Sequence, residues 1–442
     1  MALLDPPTDA LDVRTDPAEV GFDAARLERV GRRLQRFVDE GSLPGFLVTV
    51  SRHGRLVHVA RGGSRDVEQG LPVEDWTRWR IYSMTKPLTS VVAMMLYEEG
   101  AFELTDLVAR YLPEFAETRV YQAGTPLQPL TVPQTEPMRI VHLLTHTSGL
   151  TYGFNRVHPV DAMYRAAGHE WTTPPGLDAA AVCRQWASLP LVFQPGSEWN
   201  YSVSTDVLGH LLEVLSGRTL EELFEERVLG PLGMTSTGFF LPEGTDPAQL
   251  ARLYLATPPE RPGAVTRYTP IDDAGAAALR RPAFLSGGGG LLSTPSDYLR
   301  FAEMLRRGGT VDPRADVRDP AAERLIGPRT LAHMVRNHLP GGSDIAGYGR
   351  PVFAETPQRG VGFGLGFSMV LDPVAFGVLA SPGDYGWGGA ASTTFWVDPV
   401  EDVVVTLYAQ LMPSSTLPLR TYLRQLVNQA LVTPAAGGRE VG

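Results

Sequence analysis

Ser83-Met84-Thr85-Lys86-Pro87 opens a helical run over residues 87–100 and contains the only lysine in a chain of 442 residues. The other 38 of its 39 basic residues are arginine. Arginine stays protonated in proteins, whereas an amine becomes neutral when buried or placed beside other cations, so of the two only lysine serves as a base. Codon bias in a GC-rich genome accounts for arginine wherever charge alone matters. Such a bias spares a lysine only where arginine fails chemically, which directs attention to Lys86. Residues three apart on a helix share a face, so Ser83 and Lys86 lie within mutual reach, and a serine beside a base is an activated nucleophile. The helix start adds unpaired N–H groups and the positive end of the helix dipole, both of which favour negative charge nearby. The competing structural reading makes Ser83 an ordinary N-cap and Lys86 a solvated charge, since Ser-x-x-Lys alone is a weak pattern.

Two further segments bear on that choice. Gln194-Pro195-Gly196-Ser197-Glu198-Trp199-Asn200-Tyr201-Ser202-Val203 precedes a helical run over residues 206–216 and puts Tyr201 at a loop tip. A phenol titrates near ~10 when unperturbed; close to an ammonium it can share a proton and act as a general base. Taken alone, a core or rim tyrosine is an equal reading. Gly386-Trp387-Gly388-Gly389-Ala390 precedes a strand starting near Thr393. Paired glycines permit close backbone approach, and the Ala390 amide after them can enter a cleft as an oxyanion donor. The plainer reading has Trp387 covering a sheet edge.

Composition narrows the function class. The length predicts two domains, or one domain with a large insertion. Hydrophobic content of 43% and charged content of 20% are those of a globular protein. A net charge of −10 with no basic cluster argues against nucleic-acid partners. Cys183 is the only cysteine, so an internal disulfide and a multi-cysteine metal site are excluded. No His or carboxylate cluster reads as a metal site, and no cofactor is expected. Ser286-Gly287-Gly288-Gly289-Gly290-Leu291-Leu292-Ser293-Thr294 lacks the closing Gly-Lys-Ser/Thr of a phosphate loop and is expected to be a flexible connection. No apolar run reaches the ~18 residues of a membrane helix. Residues 1–15 carry Asp5, Asp9 and Asp12 without a signal-peptide pattern, so the expectation is a soluble cytoplasmic protein with no membrane partner.

The periodicity predicts an amphipathic helix over 23–40 capped by Asp23, then strands over 46–51 and 56–60 joined through His53-Gly54. Near the other end, strands are expected over 362–370, 393–397 and 403–407, followed by a helix over 417–431. A further helix starts at Pro295. Residues 1–103 and 287–442 would form one α/β domain with an antiparallel sheet. Residues 104–286 would form an inserted, mainly helical domain with loops at 122–137 and 257–262, and the active site would lie between the two.

Together the segments resemble the serine β-lactamase and penicillin-recognising family, in the class C-like branch that includes the family VIII carboxylesterases. Ser83-Met84-Thr85-Lys86 is similar to its nucleophile motif and Tyr201-Ser202-Val203 to its Tyr-x-Asn motif. Trp387-Gly388-Gly389 stands where Lys-Thr-Gly or His-x-Gly is expected. Leu143-Leu144-Thr145-His146-Thr147-Ser148-Gly149-Leu150 and Pro231-Leu232-Gly233-Met234 look like further landmarks. The resemblance covers most of the chain and implies an α/β plus all-α, β-lactamase/penicillin-binding-protein-like fold, with an antiparallel sheet flanked by helices and an inserted helical domain. It also implies a Ser83 acyl-enzyme, with Lys86 and Tyr201 handling protons and the Ser83 and Ala390 amides holding the oxyanion.

Two departures carry meaning: Val203 replaces an amide and Trp387 replaces a cation. Both favour neutral esters over β-lactams, so a serine carboxylesterase for short to medium acyl esters is expected, with a small-molecule ester as partner. Acyl transfer through the same intermediate, weak β-lactamase or D-amino peptidase activity, and a non-catalytic sensor are the alternatives. Trp387, Gly388, Gly389 and Tyr152 are expected to bind substrate, with Phe154 and Trp171 as further candidates for the cleft wall. The resemblance makes His146 structural, and no Gly-x-Ser-x-Gly elbow is present.

Overall fold

The computed structural model describes residues 11–257, 265–273, 275–315, 318–350 and 358–433. Its main sheet has eight strands: β1 (Gly45–Arg52), β2 (Arg55–Asp66), β3 (Leu71–Pro72), β4 (Val361–Phe363), β5 (Ser368–Val370), β6 (Tyr385–Gly388), β7 (Thr394–Asp398) and β8 (Val403–Tyr408). Their order is β4-β5-β6-β7-β8-β1-β2-β3, antiparallel throughout. The two ends of the chain meet at β1 and β8, where Val48 pairs with Leu407 and Val50 with Val405.

Alternation explains why the central strands are apolar throughout. On β1, Leu47 faces one core, while Phe46, Val48 and Val50 face another. On β8, Val404 and Tyr408 join the first core, and Val403, Val405 and Leu407 the second. Helices α1 (Arg29–Asp39) and α5 (Leu419–Asn428) cover the second face, with Val30, Leu34 and Phe37 of α1 at helical spacing. The first face carries α2 (Thr85–Glu98) and α4 (Pro295–Arg306), and its core continues into α3 (Ser204–Ser216). Every residue of α2 from Thr85 to Leu96 is buried.

Several boundaries differ from expectation. The run over 362–370 is two strands, because the chain reverses at Gly366, whose φ is 90°, and Gly364 N–H bonds the Phe367 carbonyl. A left-handed residue of this kind is a glycine position that β-propensity does not register. Residues 122–137, expected as loop, include much of a hairpin of Val120–Thr125 with Gln128–Val132. Tyr254–Thr257 pairs with Arg267–Pro270 on one side and with Leu411–Met412 on the other, adding strands to a stretch expected to be helical. Residues 258–262 of the expected loop and residues 1–10 lie outside the described residues. The β1–β2 turn does fall at His53-Gly54, with both residues at positive φ.

Candidate active site

Ser83 lies in a 3-10 turn, Tyr82–Met84, that leads directly into α2. Tyr82 before it has a φ of 44°, a conformation rare outside glycine that needs support from its surroundings. Lys86, in the first turn of α2, is 1% exposed. Its Nζ lies 3.1 Å from Ser83 Oγ and donates to the Gly288 carbonyl at 2.6 Å. The Tyr201 hydroxyl lies 2.6 Å from Ser83 Oγ and accepts from Trp387 Nε1 at 3.3 Å. Ser83 is therefore not an N-cap and Lys86 is not a surface charge. Lys86, one turn along, and Tyr201, 118 residues away, converge on the Ser83 oxygen.

The glycine-rich stretch is not merely a connection. The Gly288 carbonyl holds Lys86, the Gly287 carbonyl accepts from Thr89 Oγ1 at 2.7 Å, and Gly288 N–H donates to Asp206 Oδ1 at 2.9 Å. A Cβ at Gly288 would fall 2.3 Å from Asp206 Oδ2, so a side chain there has to displace the buried carboxylate. Asp206, in the first turn of α3, also accepts from Ser286 Oγ. Burial raises its pKa, and the Lys86 charge opposes that shift. No sequence pattern marks Asp206, because its significance arises only when the glycine stretch folds against it.

On the facing side, Trp387 belongs to β6, with the turn to β7 directly after Gly388. Gly389 N–H donates to the Thr393 carbonyl at 2.9 Å. Arg420, on α5, donates through Nη2 to the Gly389 carbonyl at 2.8 Å and to the Thr393 carbonyl at 3.0 Å. In a trans peptide the C=O and N–H point in opposite directions, so turning the Gly389 carbonyl toward Arg420 turns the Ala390 N–H away from it. A Cβ at Gly389 would come within 2.3 Å of Thr393 Oγ1 and 2.4 Å of the Ile81 carbonyl. Sequence reasoning missed Arg420, which is one arginine among 38.

Ser83, Tyr201, Tyr152, Trp387, Gly388, Gly389 and Ala390 all line one cavity of about 820 Å³, and Phe154 and Trp171 share its wall. Lys86 sits behind that surface. His146 stands apart from this chemistry: its Nδ1 lies 3.2 Å from Ser202 Oγ and its ring packs against Trp199, Tyr201 and Phe363. Burial, then the Lys86 charge, hold its pKa well below the usual imidazole value, so it stays neutral and structural. The buried Cys183 thiol is pushed up by burial, which suppresses the reactive thiolate. Among the described residues no group of three or more His, Cys, Asp or Glu is placed to hold a metal ion, and no helix is long and apolar enough to cross a membrane.

Known proteins resemble the chain along most of its length. The β-lactamase family model matches residues 30–429. Protein Rv1367c of Mycobacterium tuberculosis is 35% identical over 384 residues, covering 86% of this chain and 89% of its own. Esterase EstB of Burkholderia gladioli is 31% identical over 396 residues, covering 87% and 90%. The solved structure of EstCE1, described as a hydrolase with promiscuous acyltransferase activity, superimposes with a TM-score of 0.75 at 29% identity, covering 92% of this chain and 98% of that one. A helix-flanked antiparallel sheet, a Ser-x-x-Lys pair whose lysine is buried behind a serine on the cavity wall, and a matching family model agree: the chain belongs to the β-lactamase family.

Proposed function

We propose that the protein is a serine carboxylesterase that hydrolyses short to medium acyl esters through an acyl-enzyme on Ser83. The observation that carries this reading is the placement of Ser83 Oγ 2.6 Å from the Tyr201 hydroxyl and 3.1 Å from Lys86 Nζ. Ser83 Oγ attacks the ester carbonyl while its proton passes to the Lys86–Tyr201 pair, which acts as a coupled unit. The carbonyl oxygen becomes an oxyanion held by the N–H groups of Ser83 and Ala390. Collapse breaks the carbon–oxygen bond of the ester, and the pair returns the proton to the departing alcohol. Water then repeats the sequence, giving up a proton to the pair, and releases the acid and Ser83.

Neutral substrates follow from the lining. Trp387 donates its indole N–H to Tyr201 where related enzymes carry a cation, and Val203 offers no hydrogen bond to an acyl-side amide. We read the cavity as lying between an α/β part, residues 1–103 and 287–442, and a mainly helical insert, 104–286. Substrate contacts fall to Trp387, Gly388, Gly389 and Tyr152.

Ser83→Ala should abolish ester turnover, by at least ~10³-fold, and should abolish the acyl adduct seen by intact mass after a 4-nitrophenyl ester is added. Full turnover in Ser83→Ala sinks the mechanism. A second reading, acyl transfer to an alcohol, is favoured by the resemblance to EstCE1, whose description includes that activity. Added alcohol would divert product from free acid to a new ester if this reading holds.

A further inference from the structure

Next to the nucleophile the cavity wall is built from stacked rings. Tyr152 and Phe154 lie 4.5 Å apart at 18°, and Phe154 and Trp171 lie 4.5 Å apart at 11°. The stack begins at the reacting groups, with the Tyr152 ring 5.2 Å from that of Tyr201 and 5.4 Å from Lys86 Nζ. It ends at Trp171, which is 48% exposed. Phe154 has a ring on each face, so what it presents to the cavity is its edge. Leu253, Leu255, Ile271 and Met412 supply aliphatic lining elsewhere in the same cavity.

Ring edges carry positive charge and ring faces negative charge, which is why aromatic pairs favour edge-to-face contact. A saturated ring and an aromatic ring of similar size bury similar apolar area in such a cavity. Only the aromatic ring also has a face of opposite charge to offer the stacked edges. We propose that the Tyr152–Phe154–Trp171 stack is a subsite for an aryl group on one arm of the ester, so that arylalkyl and arylalkanoate esters are preferred substrates. The inference rests on the esterase reading above and gives it a substrate class.

Two matched pairs keep the reacting ester constant and separate its arms: ethyl 3-phenylpropanoate against ethyl 3-cyclohexylpropanoate, and 3-phenylpropyl acetate against 3-cyclohexylpropyl acetate, followed by acid release. In one pair kcat/KM should favour phenyl by about 3- to 10-fold, the added value of an edge-to-face contact. Phe154→Leu should bring that ratio to near one, while Phe154→Tyr, which keeps the edge, should preserve it. Binding of 3-phenylpropanol and 3-cyclohexylpropanol to the wild-type protein, read by tryptophan fluorescence, gives the same comparison without a variant. Equal ratios in both pairs with equal alcohol affinities, or a phenyl preference that survives in folded Phe154→Leu, overturn the subsite. If no ester is turned over while phenylpropanol still binds more tightly, the esterase reading falls and the subsite stands.

Discussion

At the residue scale, the site depends on groups whose alternatives fail for different reasons. Arginine at position 86 would bring a larger, permanently charged group into a buried position that is 1% exposed. Arg420 plays the opposite part, since its permanently charged guanidinium offers two carbonyls a shared donor in Nη2. Arg420→Met should lower kcat by about 10- to 100-fold, approaching the loss of one oxyanion donor, with KM changed less than about threefold and partial recovery in Arg420→Lys. Steady-state kinetics decide it: a raised KM with unchanged kcat would mean that the guanidinium contacts substrate and does not position the loop. Lys86 was legible because it is unique. Arg420 was not, because its role depends on a carbonyl 31 residues away in sequence.

At the element scale, α2 runs through the middle of the core, so its first turn is held by packing on every side. The glycine stretch after residue 286 closes over that turn and links Lys86 to Asp206. Gly288→Ala should destabilise the fold by about 1–3 kcal/mol, as overpacking a closed site does, and lower kcat more than tenfold. The urea midpoint and kcat check it together, and an alanine variant with wild-type values in both would show that Asp206 moves freely. The same stretch illustrates a limit of sequence reading. Glycine abundance suggests looseness, yet here it marks backbone packed against a buried carboxylate.

At the scale of the whole molecule, two ends of the chain make one sheet, and burial governs its response to acid. Six of the nine histidines, His58, His142, His146, His158, His169 and His338, are held below the usual imidazole value, each chiefly by burial. His142 is brought down to about 4, and its Nδ1 accepts the Arg139 N–H. A base with a folded pKa below its unfolded ~6.5 binds fewer protons when folded, so its contribution is complete above ~6.5 and is lost as pH falls toward the folded value. Asp206 and Asp384 work in the opposite sense, Asp384 over the interval from 3.8 to about 6, so they offset part of the histidine effect and the six imidazoles outweigh them. The melting temperature should therefore fall from pH 7 to 5. His142→Gln should flatten the curve by about 1 kcal/mol, since the side chain is only partly buried. Scanning calorimetry across that range tests this, and equal slopes in the two proteins would contradict it.

The sequence by itself determined the family, through motif order, and singled out Ser83 together with Lys86 and Tyr201, the two groups that the structure brings within hydrogen-bond distance of Ser83 Oγ. It also specified the hairpin at His53-Gly54, which is local, whereas the helix expected over 23–40 is broken at Glu28 and Asp23 caps only Ala24–Leu27. Tertiary structure alone decided the rest. The roles of Asp206 and Arg420 and the tight glycine closure come from contacts between segments distant in sequence, and the split of residues 362–370 from a backbone conformation at Gly366 that periodicity does not register. Hydrophobic periodicity reports which face of an element is buried, but not what is buried against it.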